Sequence, residues 1–326
     1  MNLALIVFIG MALIFVFING FHDSVNIVTN AVASRAIPLI YAFPLVALAE
    51  FIGPFLFGVA IATTIGEKIL SENAITIPVA SSALIAAIFW NLFTWWSGIP
   101  SSSSHSLIGG FLGAAIMGYG IRVIRVSGIL QILIGLFVSP VIGLILGWMA
   151  MRLILLLSRS ASPRINNLFC SAQWLTLFTV GLVHGSNDAQ NTMGVITLGL
   201  VAFGFLPDFY VPFWVKIICA MSISLGSALG GWRVVNTKSG KFYRIRPIHA
   251  FTSQIATTID VLGCALLGAP ASTTQIISTT TLGAGSAERI QKVHWLTAGQ
   301  IVLTWILTIP ASGLISAVLY LILKEI

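Results

Sequence analysis

Charge is what this 326-residue chain has least of. Lys and Arg number 16 and Asp and Glu 9, so charged residues make up 8%, against about 25% in a typical soluble domain. So little charge excludes an ordinary soluble enzyme, a disordered chain and a nucleic-acid binder. Cysteine is scarce too. Cys170, Cys219 and Cys264 stand apart in apolar runs with no Cys-x-x-Cys spacing, which argues against a disulfide framework or a thiolate metal centre and for buried structural thiols. The opening run MNLALIVFIGMALIFVFING has no basic n-region, so it reads as a first membrane helix, not a cleaved signal.

What the chain has instead is apolar length. Apolar residues make up 57% and mean hydropathy is +1.01, the profile of an all-α polytopic membrane protein. Blocks long enough to span a bilayer are expected at 3–35, 37–63, 77–119, 127–151, 170–206, 211–232, 247–285 and 294–323. Four of them carry polar or Gly/Pro interruptions, and the interruptions pair. Residues 19–26 read NGFHDSVN and 184–191 read HGSNDAQN, matching Gly20, Asp23 and Asn26 to Gly185, Asp188 and Asn191 at an offset of 165. Residues 98–105 read GIPSSSSH and 268–275 read GAPASTTQ, matching Gly98, Pro100 and Ser102 to Gly268, Pro270 and Ser272 at an offset of 170. Two motifs in one order at nearly one offset indicate an internal duplication. The expected division is repeat one at 1–157, a cytoplasmic linker at 158–164 and repeat two at 165–326.

Loop charge sets the expected topology. Arg152, Arg159 and Arg164 in loop 152–164, and Arg233, Lys238, Lys241, Arg244 and Arg246 in loop 233–246, are basic without acids and belong in the cytoplasm. If each Pro-Ser block is a re-entrant hairpin, each repeat has three crossings and the second is inverted, with both termini outside. Loop 64–76, with Glu67, Lys68 and Glu72, and Asp208 then fall outside. Arg122 and Arg125 in loop 120–126 fall there as well, against the rule.

Asp23 and Asp188 carry the strongest chemical signal. A charged side chain at mid-bilayer costs about 2.5–3.5 kcal/mol on insertion scales, and both repeats accept it at one place. Asn26 and Asn191 share the helix face of each Asp, and Gly20 and Gly185 would permit a backbone break that frees carbonyls beside them. Carboxylate, amide and carbonyl oxygens suit a small cation such as Na⁺; the competing reading is that each Asp caps a restarting helix. The hydroxyl runs Ser102-Ser103-Ser104 and Ser272-Thr273-Thr274 are expected at helix N-termini. There backbone N–H groups, the helix dipole and hydroxyls hold an anion without Arg or Lys; ordinary capping is the alternative. Glu50 lies in an apolar run and reads as a cation ligand, a proton carrier, a residue that orients the anion site or a structural hydrogen-bond partner of a neighbouring helix. Lys216 sits at about the equivalent place in repeat two. Gln254 and the weaker ion-site candidate Asp260 precede the second hairpin. His22 and His105 flank the motifs of repeat one, with Asn187 and Gln275 as counterparts, and read as hydrogen-bond donors. His184, His249 and His294 show no metal spacing, and Trp95 and Trp96 are placed to seal the first hairpin.

The duplicated NGFHDSVN and HGSNDAQN, the run Trp90-Asn91-Leu92-Phe93-Thr94-Trp95 before GIPSSSSHSLIGG, and GAPASTT resemble the PiT family of inorganic phosphate transporters over nearly the whole chain. The resemblance implies two inverted repeats with interrupted helices and re-entrant hairpins, cation-coupled phosphate uptake, extracellular termini and often a homodimer. It assigns coupling-ion roles to Asp23, Asn26, Asp188, Asn191 and Glu50, and phosphate binding to Ser102, Ser103, Ser104, Ser272, Thr273 and Thr274. The chain departs from the family in having Gln275 for a usual His and Gln254 for a frequent Glu, which opens the number and identity of coupled cations. The expectation is a secondary transporter, not an enzyme, that moves phosphate inward with Na⁺ or H⁺ across a bacterial plasma membrane. It needs no cofactor beyond the transported cation and no nucleic acid, only the bilayer and its two solutes. A sulfate permease of the same fold is the runner-up. An intramembrane hydrolase built on Ser104, His105 and Asp23 is a remote alternative, disfavoured because a triad needs one asymmetric constellation, and a passive anion channel is a third.

Overall fold

A computed structural model of the chain describes residues 3–99, 101–230 and 243–325. Pro100 and the stretch with Arg233, Lys238 and Lys241 lie outside the described residues. The described chain is helical: α1 Leu3–Ala33, α2 Leu39–Ile52, α3 Ala60–Thr63, α4 Ile77–Trp96, α5 Ser103–Tyr119, α6 Val126–Leu133, α7 Ser139–Leu157, α8 Ile165–Ala202, α9 Phe213–Ala228, α10 Pro247–Leu266, α11 Thr273–Arg289 and α12 Trp295–Leu323. Among the described residues the only β pairing is a lone bridge, Leu70 to Ile124.

Among the described residues, five helices are long and apolar enough to cross a bilayer: Leu3–Ala33, Ile77–Trp96, Val126–Leu157, Ile165–Ala202 and Ile301–Leu323. Leu39–Phe55 and Ala60–Lys68 are long and apolar enough only together, and a bend of 68° parts them, the geometry of a broken span or a re-entrant loop. The faces are sorted for lipid. On α12, Leu303, Ile306, Leu307, Leu314 and Val318 are exposed, while Thr308, Ser312 and Ser316 are buried on the other side. Lipid competes for apolar surface, so small and hydroxyl residues mark the helix contacts. There α5 packs on α12, with the backbone at Gly109 and Gly113 pressed on Ile309 and Gly313.

The long helices pair crosswise. α1 packs on α9 and α8 on α2, while α5 packs on α12 and α11 on α7. α1 and α8 run antiparallel. Phe8 early in α1 meets Phe203 just past α8, with ring centroids 6.3 Å apart, and Ser34 just past α1 donates to Gln173 Oε1 near the start of α8 at 3.0 Å.

Here the structure corrects the expected breaks: α1 and α8 run unbroken through Asn19–Asn26 and His184–Asn191. No carbonyls are freed there, and Asp23 and Asp188 cap nothing. Gly20 and Gly185 serve close approach instead. A Cβ on Gly20 would lie 2.2 Å from the Ile223 carbonyl oxygen of α9, and one on Gly185 would lie 2.5 Å from Glu50 backbone atoms of α2. Backbone cannot yield as a side-chain tip can, so Gly185→Ala should destabilise by about 3 kcal/mol, the upper range for overpacking. Gly10→Ala, with nothing within 4 Å of its new methyl, should raise stability slightly through helix propensity. Thermal unfolding of the two variants in detergent checks both signs.

The same crossing corrects the counterpart of Glu50. The residue of α9 that faces Gly20 as Glu50 faces Gly185 is Ile223, not Lys216, so the second repeat has no charge at that place.

The two ends of the bundle differ in charge. Gln173 Nε2 also donates to Pro247 O at 3.2 Å, and Thr252 Oγ1 of α10 contacts Met151 Sδ of α7 at 3.7 Å. One end therefore gathers the close of α1 and α7 with the starts of α8 and α10, and with them Arg35, Arg152, Arg159, Arg164, Arg244 and Arg246. Arg122 and Arg125 lie at the other end, tied to the acidic loop. Arg125 Nη1 donates to Glu67 O at 3.0 Å, while Arg125 N donates to Ile69 O and Ser71 N to Val123 O. Backbone contacts thus hold Arg125 against loop 64–76.

Candidate functional site

Two helical hairpins enter the bundle and stop at its middle. α4 ends at Trp96, the chain turns at Gly98 with φ +69°, and α5 begins at Ser103 with Ser102 as its cap. α10 ends at Leu266, turns at Gly268 with φ +66°, and α11 begins at Thr273 after Ser272. Glycine reaches these angles without the Cβ clash of other residues. Thr94 and Ser101 hydroxyls, 2.6 Å apart, tie the arms of the first hairpin. Both hydroxyl runs thus fall at helix starts, where the first N–H groups have no partner within their own helix.

The tips meet α1 and α8 in one buried cluster. From the first tip, Ser103 Oγ contacts Asn19 Oδ1 at 2.5 Å and Asp23 Oδ2 at 3.1 Å, and Ser104 Oγ accepts from Asn191 Nδ2 at 3.2 Å. From the second, Thr274 Oγ1 donates to Asp23 Oδ1 at 2.8 Å and accepts from Asn26 Nδ2 at 3.1 Å. Asn187 Nδ2 donates to Ala271 O at 2.8 Å, and Ala271 N donates back to Asn187 Oδ1 at 3.2 Å. The tips touch each other through Ser104 Oγ and Ala271 O at 3.3 Å. Asp23 is 3% exposed and Asp188 2%. Thr273 Oγ1, Asn191 Oδ1 and Gln275 Oε1 are buried without a hydrogen-bond partner. Native interiors rarely leave such atoms unsatisfied, and these three stand at or beside the tips.

Asn19, given no role from the sequence, and His184, expected to show no metal spacing, both stand at the centre, which corrects that expectation for His184. Asn19 Nδ2 donates to Asp188 Oδ2 at 2.9 Å. His184 Nε2 lies 3.1 Å from Asp188 Oδ2 and its Nδ1 lies 2.7 Å from Glu50 Oε1, with His184 and Glu50 wholly buried. Ligand atoms of Asp23, His184 and Asp188 lie within 4.8 Å of one another, close enough to share one cation. The signal was present: Asn19 and His184 are the first letters of the paired motifs at the same offset, one helical turn before each Asp.

Other candidates fall elsewhere. Gln254 Oε1 accepts from Thr176 Oγ1 at 2.5 Å, between α8 and α10 and outside the cluster. His22 Nδ1 lies 3.8 Å from Asp23 Oδ1. Trp95 packs edge-on against Phe21 at 5.7 Å, but Trp96 is 82% exposed and seals nothing. His105 Nδ1 lies 2.8 Å from Ser102 Oγ and its Nε2 lies 3.3 Å from Gln275 Nε2, so two counterpart residues meet across the tips. With Ser102 and Gln275, not Ser104 and a carboxylate, on its two nitrogens, His105 forms no hydrolytic triad.

Comparison with known proteins gives a consistent picture. The model of the phosphate transporter family matches the chain twice, over residues 19–163 and 157–316. A probable low-affinity inorganic phosphate transporter of Rhizobium meliloti (strain 1021) is 39% identical over 96% of this chain and 94% of its own. One of Bacillus subtilis (strain 168) is 36% identical over 97% and 96%. A solved structure described as the sodium-dependent phosphate transporter superposes with a TM-score of 0.93 over all of both chains at 25% identity. These relatives are transporters, not enzymes. With helices fit to cross a bilayer and bacterial relatives of this length, the chain is a multi-pass plasma-membrane protein, and it belongs to the phosphate transporter family.

Proposed function

We propose that this chain is a secondary active transporter that carries inorganic phosphate into the cell together with Na⁺ or H⁺. One observation carries the reading: two hydroxyl-bearing helix starts, Ser103-Ser104 and Thr273-Thr274, converge from opposite hairpins beside Asp23 and Asp188. Backbone N–H groups and hydroxyls at two helix starts suit a tetrahedral oxyanion. The contacts described at the tips involve no Arg or Lys, so a phosphate there needs cations to offset its desolvation. Asp23 and Asp188, with Asn26 and Asn191, supply the oxygens for them. A carboxylate can also accept the P–OH proton that phosphate keeps near neutral pH and sulfate lacks, which favours phosphate.

The crosswise packing, the antiparallel course of α1 and α8 and the double family match support two inverted repeats that part near residues 158–164. Rocking one against the other would alternate access to the tips. The basic end of the bundle belongs in the cytoplasm on this reading. The sodium dependence named for the similar solved structure favours Na⁺ as the first ion to try.

Uptake of radiolabelled phosphate into proteoliposomes tests the proposal. An imposed Na⁺ or pH gradient should drive accumulation that excess sulfate does not compete away. Full competition by sulfate would move the substrate to that anion, and equilibration without accumulation under either gradient would leave a passive channel.

A further inference from the structure

Most hydroxyl protons at the two tips are already committed. Ser103 Oγ donates toward Asn19 Oδ1 and Asp23 Oδ2. Ser104 Oγ donates to Ala271 O at 3.3 Å, and Thr274 Oγ1 to Asp23 Oδ1 at 2.8 Å. A hydroxyl has one proton, so none of these three has one left for a ligand. Thr273 Oγ1 is buried without a partner, and Ser272 makes no capping bond to its own helix. The sixth hydroxyl is Ser102, and a histidine decides where its proton goes.

His105 is wholly buried in the first turn of α5 and holds Ser102 twice. Its backbone N donates to Ser102 Oγ at 3.4 Å, and its ring Nδ1 lies 2.8 Å from the same oxygen. On the far side of the ring, Nε2 lies 3.3 Å from Nε2 of Gln275, the matching residue of α11. An amide nitrogen only donates, so the ring nitrogen facing it accepts and the ring proton sits on Nδ1. Ser102 Oγ then receives both bonds on its lone pairs. Its own proton is left without an acceptor among the described residues. Phe137 packs edge-on against the ring at 5.6 Å and fixes its plane. The duplication is uneven here: residue 105 grips the cap of its own helix, while residue 275 reaches across to the other hairpin.

We propose that Gln275 and His105 are positioning residues for phosphate. The Gln275 amide keeps the His105 proton on Nδ1, His105 donates it to Ser102 Oγ, and Ser102 donates its own proton to a phosphate oxygen. Thr273 is the free hydroxyl of the second tip. This rests on the phosphate reading above. Since the relay starts on one hairpin and ends on the other, the anion site is complete only while the two tips are together.

Initial uptake rates in proteoliposomes give the KM for phosphate. Ser102→Ala and His105→Phe should each raise it roughly tenfold, the loss of one hydrogen bond to a charged group, and should raise it more than they lower the maximal rate. The double variant should stay within about twofold of the singles, because both changes remove the same bond. Losses that multiply to about a hundredfold overturn the proposal, since His105 would then act apart from Ser102. His105→Asn keeps a donor near the place of Nδ1 and should restore most of the affinity; an Asn variant as weak as the Phe one overturns the proposal. Gln275→Leu should raise the KM about threefold in the wild type, as a weakened hydrogen bond would, and leave it unchanged in Ser102→Ala. Equal effects in the two backgrounds overturn the proposal. For a variant too unstable for uptake, the rise of the thermal unfolding midpoint with inorganic phosphate in detergent gives the same comparison. A wild type that neither accumulates phosphate nor is stabilised by it overturns the phosphate reading itself. Phosphate binding indifferent to His105→Phe and His105→Asn overturns the relay alone.

Discussion

Phosphate accumulation by the Asp188→Asn protein should fall at least about 100-fold while the protein stays folded. The substitution removes the charge and one of two hydrogen-bond acceptors. Asn187 Nδ2 contacts Asp188 Oδ1 at 2.5 Å and Asn19 Nδ2 donates to Oδ2 at 2.9 Å. An amide keeps the shape, but one of the two acceptor oxygens becomes an NH₂ that faces a donor, so about 1–3 kcal/mol of stability goes with the charge. What goes is the negative charge that attracts a cation. Two unit charges about 4 Å apart interact with about 4 kcal/mol at an effective dielectric near 20, and about 2.7 kcal/mol already gives a hundredfold loss. Asp23→Asn should behave alike, because Asp23 takes hydrogen bonds from both tips, Ser103 and Thr274. Initial uptake rates in proteoliposomes, beside thermal unfolding of the same preparation, separate lost coupling from lost fold. Gradient-driven accumulation that survived in Asp188→Asn would remove the carboxylate from the cation's path.

Much of this arrangement is legible in the sequence because a bilayer punishes polarity. Asp23 and Asp188 stand out against apolar runs, and recurrence at one offset turns each into half of a site. The hydroxyl runs are legible for a second reason. Gly-x-Pro stops one helix, and a Ser/Thr run opens the next, so the helix starts at Ser103 and Thr273 follow from local rules. What failed to show were facts of contact. Gly20 and Gly185 read as breaks because glycine next to polar residues has two uses, a bend or a close approach. Only the partners Ile223 and Glu50 decide between them. His184 stands one helical turn before Asp188, a spacing the chain does show, but its second partner, Glu50 on α2, is reached only through the fold. The same holds for His105 and Gln275, which read as unrelated substitutions until the tips bring them together.

Glu50→Gln should cost about 3–5 kcal/mol of stability, the penalty for breaking a buried pair from one side. Glu50 Oε1 and His184 Nδ1 are 2.7 Å apart and both residues are wholly buried, so water cannot replace the lost partner. His184→Gln should cost a similar amount. The double variant should cost less than the sum of the two, by at least about 1.5 kcal/mol, since residues sharing one hydrogen-bonded network are coupled. Additive losses in denaturant or thermal unfolding would mean that the two side chains stabilise the bundle separately. The pair also has a use beyond stability. α2 and α8 are locked together where a Cβ on Gly53 would meet the Leu182 carbonyl and one on Gly185 the Glu50 backbone. Glu50 therefore holds His184 at a fixed angle, and His184 Nε2 rests 3.1 Å from Asp188 Oδ2. On the proposed symport reading, Glu50 is then a positioning residue for Asp188. In the folded fraction of Glu50→Gln, the coupling cation should bind more weakly, with the KM for phosphate less affected at saturating cation. A merely structural role would leave both constants of the folded protein unchanged, so the split between them decides whether Glu50 reaches the transported ions through His184.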